Sequence, residues 1–125
     1  MKQYTTPDQT AKLIELGFEM PKSIAEMKTD NTTRKITTNY GDIILGPWNV
    51  ARVAYSIGEL IEMLPKELEV HNWDFYSIDI YFDTFNWNVC YKNRRGQIAY
   101  QTSSIEELVN ALYEMVVKLK EEGVI

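Results

Sequence analysis

The sequence predicts an α+β fold, a single domain spanning residues 1–125 in which helices cover one face of an antiparallel β-sheet. Three observations predict it. Apolar and polar residues alternate with period two through FYSIDIYF, NWNVCYK and QIAYQ, a four-turn amphipathic repeat fills the C-terminus, and helix caps and turn residues divide the first half into short elements. At 125 residues, 45% of them hydrophobic and 25% charged, the composition is that of an ordinary globular chain and argues against disorder. One core, burying roughly two thirds of the unfolded surface, is what such a length supports.

TTPDQTAKLIELGF opens the chain with a helix over Pro7 to Leu16. Thr6 caps it, Pro7 takes the first helical position, Gln9 closes a capping box, and Gly17 stops it with Phe18 folding back. Residues 22–55 are rich in Thr, Asn and Asp. We read a hairpin there, with strands at Lys35 to Thr38 and Ile43 to Leu45 joined through Asn39–Tyr40–Gly41–Asp42. NVARVAY fits either a strand or a helical turn. SIGELIEMLP then reads as a helix capped by Ser56 and Glu59 and ended at Leu64 by Pro65, with Ile57, Leu60, Ile61 and Leu64 on one face.

The meander follows. Tyr76, Ile78, Ile80 and Phe82 form one face of its first strand, Trp87, Val89 and Tyr91 of its second, and Ile98 and Tyr100 of its third. Cys90 falls on the opposite, polar face as a half-buried thiol. Most of the aromatic window NWDFYSIDIYFDTFNWNVCY is therefore core, which leaves Trp73, Phe75, Phe85 and Tyr81 without a structural task. The cover is SIEELVNALYEMVVKLKEEGVI: Ser104 and Glu107 form a capping box, and Ile105, Leu108, Val109, Leu112, Met115, Val116 and Leu119 make the buried stripe. Each such side chain contributes about 1.5–3 kcal/mol before entropy. Tyr113 and Val117 widen the apolar arc and are the candidate dimer seam.

A net charge of −5, from 18 acidic and 13 basic residues, disfavours nucleic-acid binding, which needs a basic stripe to release counterions. Cys90 is the only cysteine, so no internal disulfide forms and a reducing cytoplasm is the expected compartment. MKQYTTPDQT reads as no signal peptide, and no apolar run is long enough for a membrane span.

Candidate chemistry is sparse. His71, the sole histidine, lies in the loop before the meander with Asp74 as a possible orienting partner, but a surface histidine is the commoner meaning of such a position. Asp79 with Asp83, and Glu59 with Glu62, are carboxylate pairs of the kind acid–base chemistry uses, and both sit where solvated acids are routine. One cysteine and one histidine cannot supply the usual metal ligands, and no glycine-rich phosphate loop occurs, so no metal and no cofactor is expected. The residues left over are Trp48, Trp73, Phe75 and Phe85 as recognition aromatics, and Lys92, Arg94 and Arg95 at a basic turn beside Tyr91 and Tyr100.

YSIGELIEMLPKEL at 55–68 and ELVNALYEMVVKLKEEGVI at 107–125, with the strand WNVCY between them, resemble short uncharacterised proteins encoded by phages and other mobile elements of gut bacteria. In those a Y-S/T-I-G-E/D-L-I helix, a meander and a terminal L-I/V-x-A-L-Y-E helix recur. The resemblance covers about a third of the chain and carries no catalytic residue. It implies a host cytoplasm and a partner among host or defence proteins. The function expected is therefore a non-enzymatic protein-binding accessory factor that docks such a protein or a second copy of itself, the alternative being a small-ligand or nucleotide-sequestering protein.

Overall fold

The computed structural model describes residues 2–28, 34–45, 49–71 and 74–125. The chain is α+β with antiparallel sheets, and it divides into two units: Tyr4–Ser56, and Ile57–Ile125 with the residues preceding Tyr4.

The first unit begins with α1 (Pro7–Glu15). Its capping box forms as the sequence predicts. Gln9 N donates to Thr6 Oγ1 at 3.2 Å and Thr6 N donates to Gln9 Oε1 at 3.0 Å, which satisfies two otherwise orphaned donors. At the other end Gly17, at φ +98°, and Phe18 donate to the carbonyls of Ile14 and Leu13 in a Schellman turn. Four strands follow: β1 (Ser23–Lys28), β2 (Arg34–Thr38), β3 (Gly41–Leu45) and β4 (Asn49–Ala54). β2 and β3 are the expected hairpin, longer than expected because Thr38 pairs with Gly41 across the two-residue turn Asn39–Tyr40. NVARVA settles as a strand because β4 pairs with β1, from Ser23 opposite Ala54 to Lys28 opposite Asn49. Leu13, Ala54 and Tyr55 are its buried centre. Thr5, fully buried, is held on three sides: its N–H donates to Tyr55 O at 2.9 Å, its hydroxyl accepts from Tyr55 N at 3.0 Å, and that hydroxyl meets Thr10 Oγ1 at 2.7 Å. The Tyr55 phenol donates to the carbonyl of Glu19.

The second unit holds α2 (Ile57–Met63), β5 (Glu67–His71), β6 (Asp74–Asp83), β7 (Asn86–Lys92), β8 (Ile98–Ile105) and α3 (Leu108–Glu121). The sheet has four strands in the order β5-β6-β7-β8, all antiparallel neighbours. The expected three-stranded meander is present as β6-β7-β8, and β5 extends it. His71 is consequently a strand residue opposite Asp74, not a loop residue. The alternation Leu68 and Val70 against Glu67 and Glu69 is the period-two signal of that added strand.

α3 lies against β7 and β8 and touches α2. Its stripe of Leu108, Val109, Ala111, Leu112, Met115, Val116 and Leu119 is buried, six of the seven expected positions among them. The seventh, Ile105, is 69% exposed. The Ser104–Glu107 capping box does not form: Ser104 and Ile105 remain in β8, paired with Trp87 and Asn86, and Glu107 is the helix cap without a side-chain bond. Ladder pairing with β7 outweighs a cap worth about 1 kcal/mol. Gly123, at φ +74°, ends α3 in a second Schellman turn, with Val124 N donating to Leu119 O at 2.8 Å.

The Thr102 hydroxyl donates to Ala111 O at 2.6 Å, so the face bearing Thr102, and with it Val89 and Ile80 across the ladder, looks at α3. Val89 and Tyr91 are fully buried there, while Phe82 and Ile98, expected in the same core, are about half exposed: Phe82 sits near the end of β6, and a register shift sets Ile98 opposite Lys92. The opposite face is not simply polar and wet. Asn88 is 3% exposed and Cys90 fully buried.

The Tyr91 phenol donates to Pro65 O at 2.7 Å, tying β7 to the segment after α2. Burial pushes its pKa up to about 12 from 10.0. A phenol whose folded pKa lies above its unfolded one contributes its full stability below pH 10 and loses it as the pH rises towards 12, a loss on the order of 2 kcal/mol. Tyr91→Phe is expected to lose about 1 kcal/mol at neutral pH and to flatten that alkaline decline in urea titrations. In the same titrations Leu112→Ala should cost about 2–5 kcal/mol, and Ile105→Ala less than about 0.5 kcal/mol. Comparable losses at positions 105 and 112 would place Ile105 back in the core.

Candidate functional site

At one end of the sheet, residues of β5, β6 and β7 and the β7–β8 turn line a cleft of about 820 Å³. It is lined by Phe75, Lys92, Arg94 and Arg95, four of the residues expected to bind a ligand or partner, together with Glu67, Asp74 and Asp79; of these acids the sequence offered Asp74 as a partner for His71 and Asp79 for Asp83, not for these cations.

The cations are positioned by local chemistry. Asn93 Oδ1 accepts from Arg95 N at 3.0 Å and Gln97 N at 2.9 Å, Asn93 Nδ2 donates to Gln97 Oε1 at 2.7 Å, and Asn93 N donates to Gln97 O at 3.0 Å. Gly96, at φ +79°, closes the turn on Asn93 O. The basic turn is thus a clamped structure and not a loose tip. Lys92 Nζ lies 2.9 Å from Asp79 Oδ2 and 5.1 Å from the centre of the Tyr81 ring. Asp79 is opposite Cys90 and Tyr81 opposite Asn88, whereas Lys92 itself is opposite Ser77, so its amino group is drawn back along β7. Its hydrogen bond to Asp79 raises its pKa. Arg95 reaches Asp74 at 3.9 Å, and Asp74 also accepts from Tyr76 Oη at 3.3 Å. Arg94 forms no ion pair among the described residues.

Phe75 is 44% exposed within the cleft. Phe85, 66% exposed, is not near it: it lies in the β6–β7 turn at the far end of β6, about 30 Å along a strand of ten residues. Trp48 and Trp73 lie outside the described residues. Tyr113 and Val117 are half-buried on α3, and burial, then Glu114 and Glu121, raises the tyrosine's pKa.

The Cys90 thiol is pushed up by burial, with Lys92 pulling it down and Asp79 adding to the rise. Asp79 and Asp83 are four strand residues apart, about 13 Å, too far to share a reacting atom. Among the described residues no cluster of three His, Cys, Asp or Glu side chains is placed to hold a metal ion, and no helix is long and apolar enough to cross a membrane. Comparison with protein-family models, with curated proteins and with solved structures gave no match.

The acids were legible in principle. Ser77, Asp79 and Tyr81 alternate on the face to which Lys92 belongs, so a carboxylate beside that lysine follows from strand pairing. If Lys92 is the cover of Cys90, Lys92→Ala should speed labelling of the native thiol by a disulfide reagent at least about tenfold, whereas the wild-type chain reacts only on opening. Equal labelling rates in the two folded proteins would remove the lysine from that role.

Proposed function

We propose that this protein is a non-enzymatic binding module that docks another protein through the cleft at Phe75, Lys92, Arg94 and Arg95. In this reading the helices cover one face of the sheets and leave the opposite face for the partner. The observation that carries it is the charge pairing: Lys92 and Arg95 already hold Asp79 and Asp74, so both signs of charge surround one exposed aromatic ring. A phosphate-bearing ligand would need to break both pairs and would find Arg94 as the one unpaired cation of the cleft among the described residues. A polypeptide carrying an apolar anchor and side chains of both signs fits without breaking either.

The sequence resemblance to small phage and mobile-element proteins supplies the context. The partner is then a host or defence protein in the cytoplasm, and the chain an accessory factor that alters that protein's activity by occupying it. Sequestration of a nucleotide or other small ligand, the alternative, draws its support from the unpaired Arg94 beside Phe75.

Immobilised wild-type chain should retain a defined host protein that Phe75→Ser and Arg94→Glu each bind at least about tenfold more weakly, with folding stability changed by less than about 0.5 kcal/mol. A melting shift with a member of a nucleotide panel, abolished in Arg95→Ala, would replace docking by sequestration. Loss of biological activity in a folded His71→Ala would replace both by catalysis.

A further inference from the structure

The two edges of the four-stranded sheet are built differently. β5 is short, carries Glu67 and Glu69, and shifts register between Glu69 and His71, all features that discourage another strand from adding. β8 is longer and carries no acid, and its one register shift lies at its start, where Lys92 pairs with Ile98; from Tyr100 to Ile105 the ladder is regular. From Ile98 to Ile105 it holds no charged residue and no proline, and among the described residues it pairs with β7 alone. Glu106 N donates to Phe85 O at 3.2 Å while Asn86 lies opposite Ile105, and bonded pairs alternate along an antiparallel ladder. Tyr100, Thr102 and Ser104 therefore turn their backbone groups to β7, and Gln101, Ser103 and Ile105 turn theirs outward. All three outward residues are exposed.

We propose that this edge is a self-association surface, where a second copy of the chain adds its own β8 antiparallel to the first. Charge selects a second copy as the occupant. Arg94 and Arg95 precede β8 and Glu106 follows it, so antiparallel addition sets the basic end of each strand against the acidic end of the other. Parallel addition would set like against like. Neither Arg94 nor Glu106 has an ion-pair partner among the described residues. At a net charge of −5 two copies repel over most of their surface, and an uncharged edge bracketed by opposite signs is where that repulsion is relieved. The pairing is isologous and keeps both α3 helices on one face of the joined sheet.

Light scattering of the wild-type chain from about 10 μM to about 1 mM should show a monomer–dimer equilibrium. Ser103→Lys, which places a charge on the edge, and Ser103→Pro, which removes an outward N–H, should each raise the dissociation constant at least about tenfold, whereas Ser103→Ala, which like them loses the hydroxyl bond to Asn88, should leave it unchanged. Glu106→Arg should weaken the dimer in the same way, and adding Arg94→Glu should restore it. Phe75→Ser should leave the equilibrium unchanged, which separates self-association from docking at the cleft. A wild-type chain that stays monomeric at the highest concentration overturns the proposal. So does a dimer that survives Ser103→Lys in a folded protein, a charge swap that fails to restore association, or a dimer lost in Val117→Glu on α3 but kept in Ser103→Lys and Ser103→Pro.

Discussion

β7 is a strand buried on both faces, and the architecture of the second unit follows from that constraint. Val89 and Tyr91 face α3, and Asn88 and Cys90 face the other way, yet all four are withdrawn from water. A buried amide is costly unless its hydrogen bonds are made. Asn88 Oδ1 accepts from Ser103 Oγ at 2.6 Å and Gln101 Nε2 at 3.4 Å, and its Nδ2 donates to Asn86 O at 3.3 Å, so β8 supplies what the solvent no longer does. The neighbouring thiol needs no such partner. The Lys92 amino group, drawn back to Asp79 and the Tyr81 ring, sets that side chain on the same face as the thiol.

The same pairing decides what the exposed face can do. A buried thiol raised in pKa is a poor nucleophile, and a lysine already paired with a carboxylate is a poor phosphate ligand. What remains available is surface: an aromatic edge at Phe75, charges of both signs held at fixed positions, and the backbone of β8. The aromatic residues therefore divide by position along the sheet, with Tyr91 in the core, Phe75 at one rim, and Phe85 at the other.

Local rules were legible in the sequence wherever nothing distant competed with them. The Thr6–Gln9 box and the Gly17 stop formed as read because no sheet claims residues 6–18. Ser104 and Glu107 carry the same cap signature, but there β7 offers Ser104 and Ile105 ladder partners, and the helix starts later. The periodicity of β6, β7 and the buried stripe of α3 came through for the same reason that they dominate stability: many side chains repeat one instruction. β1 and β4 were the hard case. Their pairing brings Ser23 to Ala54 around an intervening hairpin, and a strand of six residues with weak alternation does not announce so remote a partner. In the candidate site, the basic turn and Phe75 were legible as leftovers. Asp74 and Asp79 were named only as partners of His71 and Asp83; their pairing with Arg95 and Lys92 emerges once the facing strand and its turn are placed beside them.

The turn at Asn93 joins these threads physically. By clamping Gln97, Asn93 fixes where β8 begins, and by accepting from Arg95 N it fixes where the two arginines project. The cleft and the β8 edge consequently share one basic tip. Arg95 is held at the cleft by Asp74, while Arg94, with no carboxylate of its own among the described residues, stands between the two surfaces. One unpaired cation cannot be fully desolvated by two partners at once. A protein seated in the cleft and a second copy on the edge would draw on the same charge, which makes docking and self-association mutually weakening by linkage, each lowering the affinity for the other by the same factor.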